Sequence, residues 1–250
     1  MNNERKDDIQ ELYDKTNNLT KCSTIIFYIN LFVSVVILND FKYRDSFVLV
    51  SIILSMLYVV FTNINEMYFK NIAENERRKS LIKESFEINT TLRETNKYYN
   101  NNENPSIEKL GLNCYESAYF TKNVVDKMML GETIKLIILS ILYVIFLIRI
   151  ENLDFLLIAT QTLFSSEFAF QFIKLCYYKF QLDKICKEFE QICFILGFSN
   201  EDSKVLLLDA TMDYECLKSY CKISTSSKIF FDNNEKWSKE WENILSKIKR

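Results

Sequence analysis

Ser46–Thr62 reads SFVLVSIILSMLYVVFT, seventeen residues without a charge. Just upstream, Cys22–Asn39 reads CSTIIFYINLFVSVVILN, eighteen more without one. A helix crosses the hydrocarbon of a bilayer with about 20 residues, and about 17 suffice at the low end. Both runs therefore predict spanning helices. The connection between them, DFKYRD (40–45), is charged and short, so the two form an antiparallel hairpin.

The pattern repeats further along in a weaker form. Leu136–Ile148 is apolar over thirteen residues and ends on Lys135 and Arg149, whose long side chains can snorkel towards water. Leu153–Phe172 carries Asp154 and Glu167, which leave twelve uncharged residues between them. This fourth run reads as a span, a buried core helix or a re-entrant segment. Averaged over the chain, the mean hydropathy is near zero because charged, Asn-rich stretches alternate with these blocks.

The polar stretches are helical in pattern. Residues 4–21 predict a helix with Ile9, Leu12, Tyr13 and Leu19 as its apolar positions. Between 63 and 99, Ile64, Met67, Ile72, Leu81, Phe86 and Leu92 recur near helical spacing around the cluster ENERRK (74–79). YYNNNENPS (98–106) holds the only proline and predicts a linker. A helix follows from about Ser106 or Asn113 to Leu130, and another runs from Phe172 to Leu196, where Gly197 predicts a left-handed cap. SNED (199–202) starts the next, with Ser199 as its N-cap. A last amphipathic helix carries Trp237 and Trp241, for docking on the helical domain or for the membrane interface.

The layout is an all-α integral membrane protein. It has an N-terminal cytoplasmic helix (1–21), a first transmembrane hairpin (22–62) and a cytoplasmic helical segment (63–132). A second hairpin (133–172) and a C-terminal cytoplasmic helical domain (173–250) complete it. Basic residues flank the spans on the side of both termini and of the middle segment: Lys15, Lys21, Lys70, Arg77, Lys127, Lys174 and Lys179. The loops on the other side carry only Lys42, Arg44 and Arg149. Four spans with both termini in the cytoplasm satisfy that asymmetry.

Composition narrows the chemistry. The 250 residues include no histidine, three glycines and one proline. That removes Ser-His-Asp and Cys-His catalysis and HExxH zinc sites, and it leaves no glycine loop for a phosphate. The seven cysteines form no C-x-x-C pair, which suits buried thiols in a reducing compartment rather than a metal knuckle or a disulfide framework. A net charge of -2 gives no field for a nucleic acid polymer. The start, MNNERKDDIQELYDK, is polar and acidic, unlike a cleavable signal peptide. No enzyme activity, metal or cofactor is expected.

The polar side chains inside the apolar runs are the candidate lining of a pore. Ser51, Ser55, Tyr58 and Thr62 fall at offsets 4, 7 and 11, on one helical face. Ser23, Asn30 and Ser34 do so in the first run, at offsets 7 and 11, as do Asp154, Gln161 and Ser165 in the fourth. One reading has them line a hydrated path in an oligomer. The other has them pack helix on helix, as small and hydroxylated residues do in membranes. Asp154 and Glu167 stand apart, because intramembrane carboxylates are costly unless paired or wet. Arg77, Arg78 and Lys79 are the candidates for an anionic ligand, against a solvated helix face on which Glu74 pairs with Arg78.

The order of segments resembles the bacterial SMODS-associated four-transmembrane effector family, pore-formers of cyclic-oligonucleotide antiphage defence. RRKSLIKESFEINTTL (77–92) is similar to that family's basic helix leading into an Ile-x-Glu-x-Phe-Asp motif, through Ile82, Glu84, Phe86 and Glu87. The tail from 213 to 244 is similar to its Tyr-Glu, Ser-x-x-Ile-Phe and Trp-Glu pattern, through Tyr214, Glu215, Ser226, Ile229, Phe230, Trp241 and Glu242. The resemblance implies a pore-forming effector in the cell inner membrane, triggered by an upstream signal such as a cyclic nucleotide. Its partners would be the lipid bilayer and further copies of itself, since four short helices cannot enclose a wide channel alone. The alternative is a non-conducting anchor whose cytoplasmic helices recruit a soluble partner.

Overall fold

The computed structural model describes residues 8–37, 42–93, 99, 103–149, 168–198 and 201–248. Every regular element among them is helical. In chain order these are α1 (Gln10–Val36), α2 (Arg44–Ile64), a π turn (Asn65–Phe69), α3 (Lys70–Phe86) and α4 (Ile107–Arg149). Then come α5 (Phe168–Gln191), a second π turn (Ile192–Leu196), α6 (Glu201–Cys221) and α7 (Ser227–Lys247). Two of the helical stretches, Gln10–Val36 and the continuous Arg44–Phe86, are long and apolar enough to cross a membrane. Most of the fourth apolar run, with Asp154, Gln161, Ser165 and Glu167, lies outside the described residues, as does Ser199.

Several expected boundaries dissolve into longer helices. The polar helix of 4–21 and the first apolar run form one element, α1. Nothing between them breaks a helix, and the hydroxyls of Thr16, Thr20, Ser23 and Thr24 donate to carbonyls three or four residues earlier, at 2.8–3.1 Å. Likewise α4 runs without a break across the boundary expected at 132–133 and carries the third apolar run in its C-terminal part. A glycine in mid-helix costs about 1 kcal/mol relative to alanine, too little to end a helix of this length. Ser106 starts α4 as expected of an N-cap, its Oγ accepting from the Lys109 N–H at 3.1 Å.

In the other direction, helix expected up to 99 ends at Phe86. Glu87 takes a left-handed φ of 57° and turns the chain back. Thr90 Oγ1 then donates to the Lys79 carbonyl and Thr91 Oγ1 to Glu76 Oε2, both at 2.6 Å. These bonds replace helical ones that β-branched threonines favour weakly.

The chain divides into two compact units. The helical unit comprises Met1–Glu11, Ile72–Leu130 and Lys174–Arg250. Its core interleaves Leu112, Tyr115 and Ala118 of α4 with Tyr178, Leu182 and Phe189 of α5, Leu207 and Tyr214 of α6, and Trp241 of α7. Tyr115 stacks on Phe189 at 5.3 Å and meets Trp241 edge-on at 5.0 Å. Trp237 and Trp241 are buried here, so the amphipathic face of α7 docks on protein. At the α4–α6 crossing, the side chain of Leu207 occupies the space a Cβ on Gly111 would need. Four cysteines (Cys114, Cys186, Cys193, Cys221) are buried, while Cys22 and Cys216 are exposed. Burial pushes the thiols of Cys186 and Cys193 up to about 12.

The apolar unit comprises Leu12–Asn71 and Gly131–Ile173. Here the usual distribution of side chains is reversed. The buried face of α1 is Thr16, Ser23, Phe27, Asn30, Val33 and Ser34, and α2 buries no residue fully. Large apolar side chains point outward instead: Ile25, Ile29 and Phe32 on α1, Ile53, Met56 and Val60 on α2, and Ile137, Ile138 and Ile141 on α4. Met56 is 65% exposed. Such a surface is stable where the surroundings are as apolar as the side chains.

Candidate functional site

The inward polar residues of the apolar unit meet in a seam between α1 and α2. Asn30 holds its centre. Its Nδ2 donates to Ser55 Oγ at 2.9 Å, and Ser51 Oγ donates to its Oδ1 at 2.7 Å. One amide side chain thus binds two hydroxyls spaced one turn apart on the facing helix. Ser34 is buried one turn beyond Asn30, and Tyr58 packs against Phe27 with ring centroids 6.0 Å apart. Thr62 lies further along the same stripe and is half-buried. The candidate lining residues of the first two runs are therefore brought together, but onto each other. In this conformation the seam is closed by hydrogen bonds.

A second clamp closes the other end of the seam, on residues that the pore reading does not include. Asn65, buried at the start of the π turn, donates from Nδ2 to the Thr16 carbonyl at 3.1 Å and to Thr20 Oγ1 at 3.0 Å. The sequence carries a signal for it. Thr16, Ser23 and Asn30 repeat every seven residues, and Asn65 continues the 51–55–58–62 stripe by three. Starting the first span at Cys22 hides Thr16 and Thr20.

The basic cluster of α3 is split by helix geometry. Ala73, Arg77, Ser80 and Leu81 form the buried face of α3, so Arg77 points inward. Its Nε donates to Glu74 Oε2 at 2.8 Å, and its Nη2 donates to Glu215 Oε2 on α6. Lys218, also on α6, approaches Glu74 at 3.5 Å. Two cations and two carboxylates thus balance around Arg77, which is buried while its three partners are half-buried. Burial, and then the charge of Arg77, lowers the pKa of Lys218. Around the group, burial pushes the Cys114 thiol and the phenols of Tyr178 and Tyr214 up, so all three stay protonated near neutrality. Glu74 pairs with Arg77 rather than with Arg78, which lies about 100° further round the helix. Lys79 pairs with Glu76 at 2.8 Å. Of the anion candidates, Arg78 is the one whose charge no carboxylate among the described residues meets.

The motifs of the family resemblance have structural positions. Tyr214 is fully buried, its hydroxyl 3.0 Å from Thr121 Oγ1, and Glu215 is the acceptor for Arg77. Ser226 caps α7, Phe230 packs on Phe120 at 5.8 Å, and Trp241 fills the core. Compared with known proteins, the chain matches no family model, no curated protein and no solved structure.

Proposed function

We propose that the chain is a multi-pass effector of the bacterial inner membrane that forms a pore as an oligomer on an upstream signal. The observation that carries the reading is the reversed apolar unit, with outward Ile53, Met56 and Val60 and an inward seam of Asn30, Ser51 and Ser55. Lipid is the surrounding that makes this arrangement favourable. The seam is the closed state. Activation parts α1 from α2 in neighbouring copies and turns the same polar groups, together with Asp154, Gln161 and Ser165 of a fourth span, to water. Both termini and the helical unit lie in the cytoplasm, where the signal is read. A cyclic nucleotide is the messenger that the family resemblance implies.

The second reading is a non-conducting anchor, and one observation favours it: Asn30, Ser51 and Ser55 at the centre of the seam already bond one another within the hairpin. Release of dye from liposomes carrying the full chain, with and without cyclic oligonucleotides, separates the two. Under the pore reading, signal-dependent release falls by at least tenfold in Ser51→Leu/Ser55→Leu. Absence of release under every condition, with the chain inserted, leaves the anchor.

A further inference from the structure

The outward side of α6 is apolar where a surface helix would ordinarily carry charges of both signs. Val205, Leu208, Met212, Cys216 and Tyr220 follow one another at steps of three or four, which sets them in one continuous stripe. All five are exposed, Val205 to 67%, Met212 to 58% and Tyr220 to 75%. Tyr177 of α5, itself exposed, meets Tyr220 edge-on at 6.1 Å and widens the stripe at its C-terminal end. The core takes the opposite side of the helix, with Leu207, Ala210, Tyr214 and Leu217.

The charges beside the stripe have one sign. Asp209 and Asp213, one turn apart, are exposed along its edge, and no cation among the described residues pairs with them. The two lysines of α6 are both engaged elsewhere. Lys204 holds Glu201 at 2.6 Å and Glu108 at 3.4 Å, and Lys218 turns to Glu74 at 3.5 Å. Every exposed residue of α6 is thus apolar, acidic or the thiol of Cys216. A contiguous apolar patch on a folded unit marks an interaction surface, and its rim selects the partner. Carboxylates disfavour the anionic face of a bilayer, which draws helices rich in Lys and Arg. They equally disfavour α6 on α6 of a second copy, because the carboxylates of both copies would meet in one interface. The complement is an apolar stripe edged with positive charge.

We propose that the outward face of α6 docks a basic amphipathic helix of another protein. The apolar side of that helix seats on Val205, Met212 and Tyr220, which lie about two turns apart. Its Lys or Arg side chains meet Asp209 and Asp213, and the flexible side chain of Met212 adapts to what it receives. The surface rests on neither reading of the hairpin. A pore would receive a regulator there, and an anchor its cargo.

The rate at which a water-soluble maleimide modifies Cys216 reads cover on this face, in the full chain held in phosphatidylcholine nanodiscs and followed by mass spectrometry. A synthetic leucine–lysine amphipathic helix slows it about tenfold at a concentration about ten times its Kd. A leucine–glutamate helix of the same length leaves it unchanged. Asp209→Lys with Asp213→Lys, both at the surface, removes the protection by the first peptide, and Asp209→Glu with Asp213→Glu keeps it. No protection by the leucine–lysine helix, equal protection by both peptides, or protection that survives the charge reversal overturns the proposal. So does a thiol already shielded without peptide, whether by a second copy, shown by cross-linking of Cys216 to itself on oxidation, or by the bilayer once phosphatidylglycerol is added. None of these results bears on dye release, which tests the pore reading separately.

Discussion

The guanidinium of Arg77 on α3 donates to the carboxylate of Glu215 on α6, 138 positions further along the chain. The two residues come from the two stretches that carry the family resemblance, the basic helix and the Tyr-Glu pair. With Glu74 and Lys218 they make a charge-balanced group around the buried Arg77 side chain in the helical unit. Arg77 is thereby committed to holding α3 on α6.

Glu215→Ala leaves Arg77 buried without its acceptor on α6 and should destabilise the helical unit by about 3 kcal/mol. Arg77→Met combined with Glu215→Leu should recover most of that, because a buried pair is replaceable by apolar side chains of similar volume. Denaturant unfolding of the single and double variants measures it.

The two glycines of α4 should respond in opposite senses. Gly111→Ala forces a methyl group into Leu207 and costs about 1–3 kcal/mol. Gly131→Ala meets nothing within 4 Å and should stabilise the helix by about 0.5–1 kcal/mol. Unfolding midpoints of the two variants check both signs.

Composition and spacing made much of this legible. The uncharged runs foretold α1 and α2, the scarcity of proline and glycine foretold helices, and the faces of Ser51–Ser55–Tyr58–Thr62 and Asn30–Ser34 foretold which side of each helix is polar. What spacing could not give is the partner of a face. Asn30 at a pore wall and Asn30 bonded to Ser55 have the same periodicity. Helix ends were the weakest point: propensity runs on past Phe86, and the reversal at Glu87 depends on Thr90 and Thr91 bonding back to α3. Arg77 and Arg78 are adjacent in sequence and look equivalent, yet one turns into the core and the other out.

Thiol reactivity should follow burial. Cys186 and Cys193, held protonated by a low-dielectric core that pushes them up to about 12, should resist a water-soluble maleimide at neutral pH. Cys216, exposed on α6, should react fully. Mass spectrometry of the labelled, undenatured protein assigns each site.

Acid should loosen the strap that follows α3. Hydrogen bonds from Lys79 and then Thr91 lower the pKa of Glu76. A carboxylate whose folded value is depressed contributes its full stability above its unfolded value, about 4.3. That contribution is lost as pH falls through the folded value. Thr91→Val should therefore flatten the decline in stability below about pH 5, visible in unfolding midpoints taken across the acid range.

Under the proposed function, lipid surrounds the outward face of α2. A spin label at Met56→Cys, with Cys22→Ser and Cys216→Ser to remove the exposed thiols, reports its solvent directly in liposomes. Strong relaxation by oxygen and little by a water-soluble nickel chelate is the expected result. Ready access of the chelate to position 56, at a level matching a label on the charged face of α7 at Glu235→Cys, contradicts it.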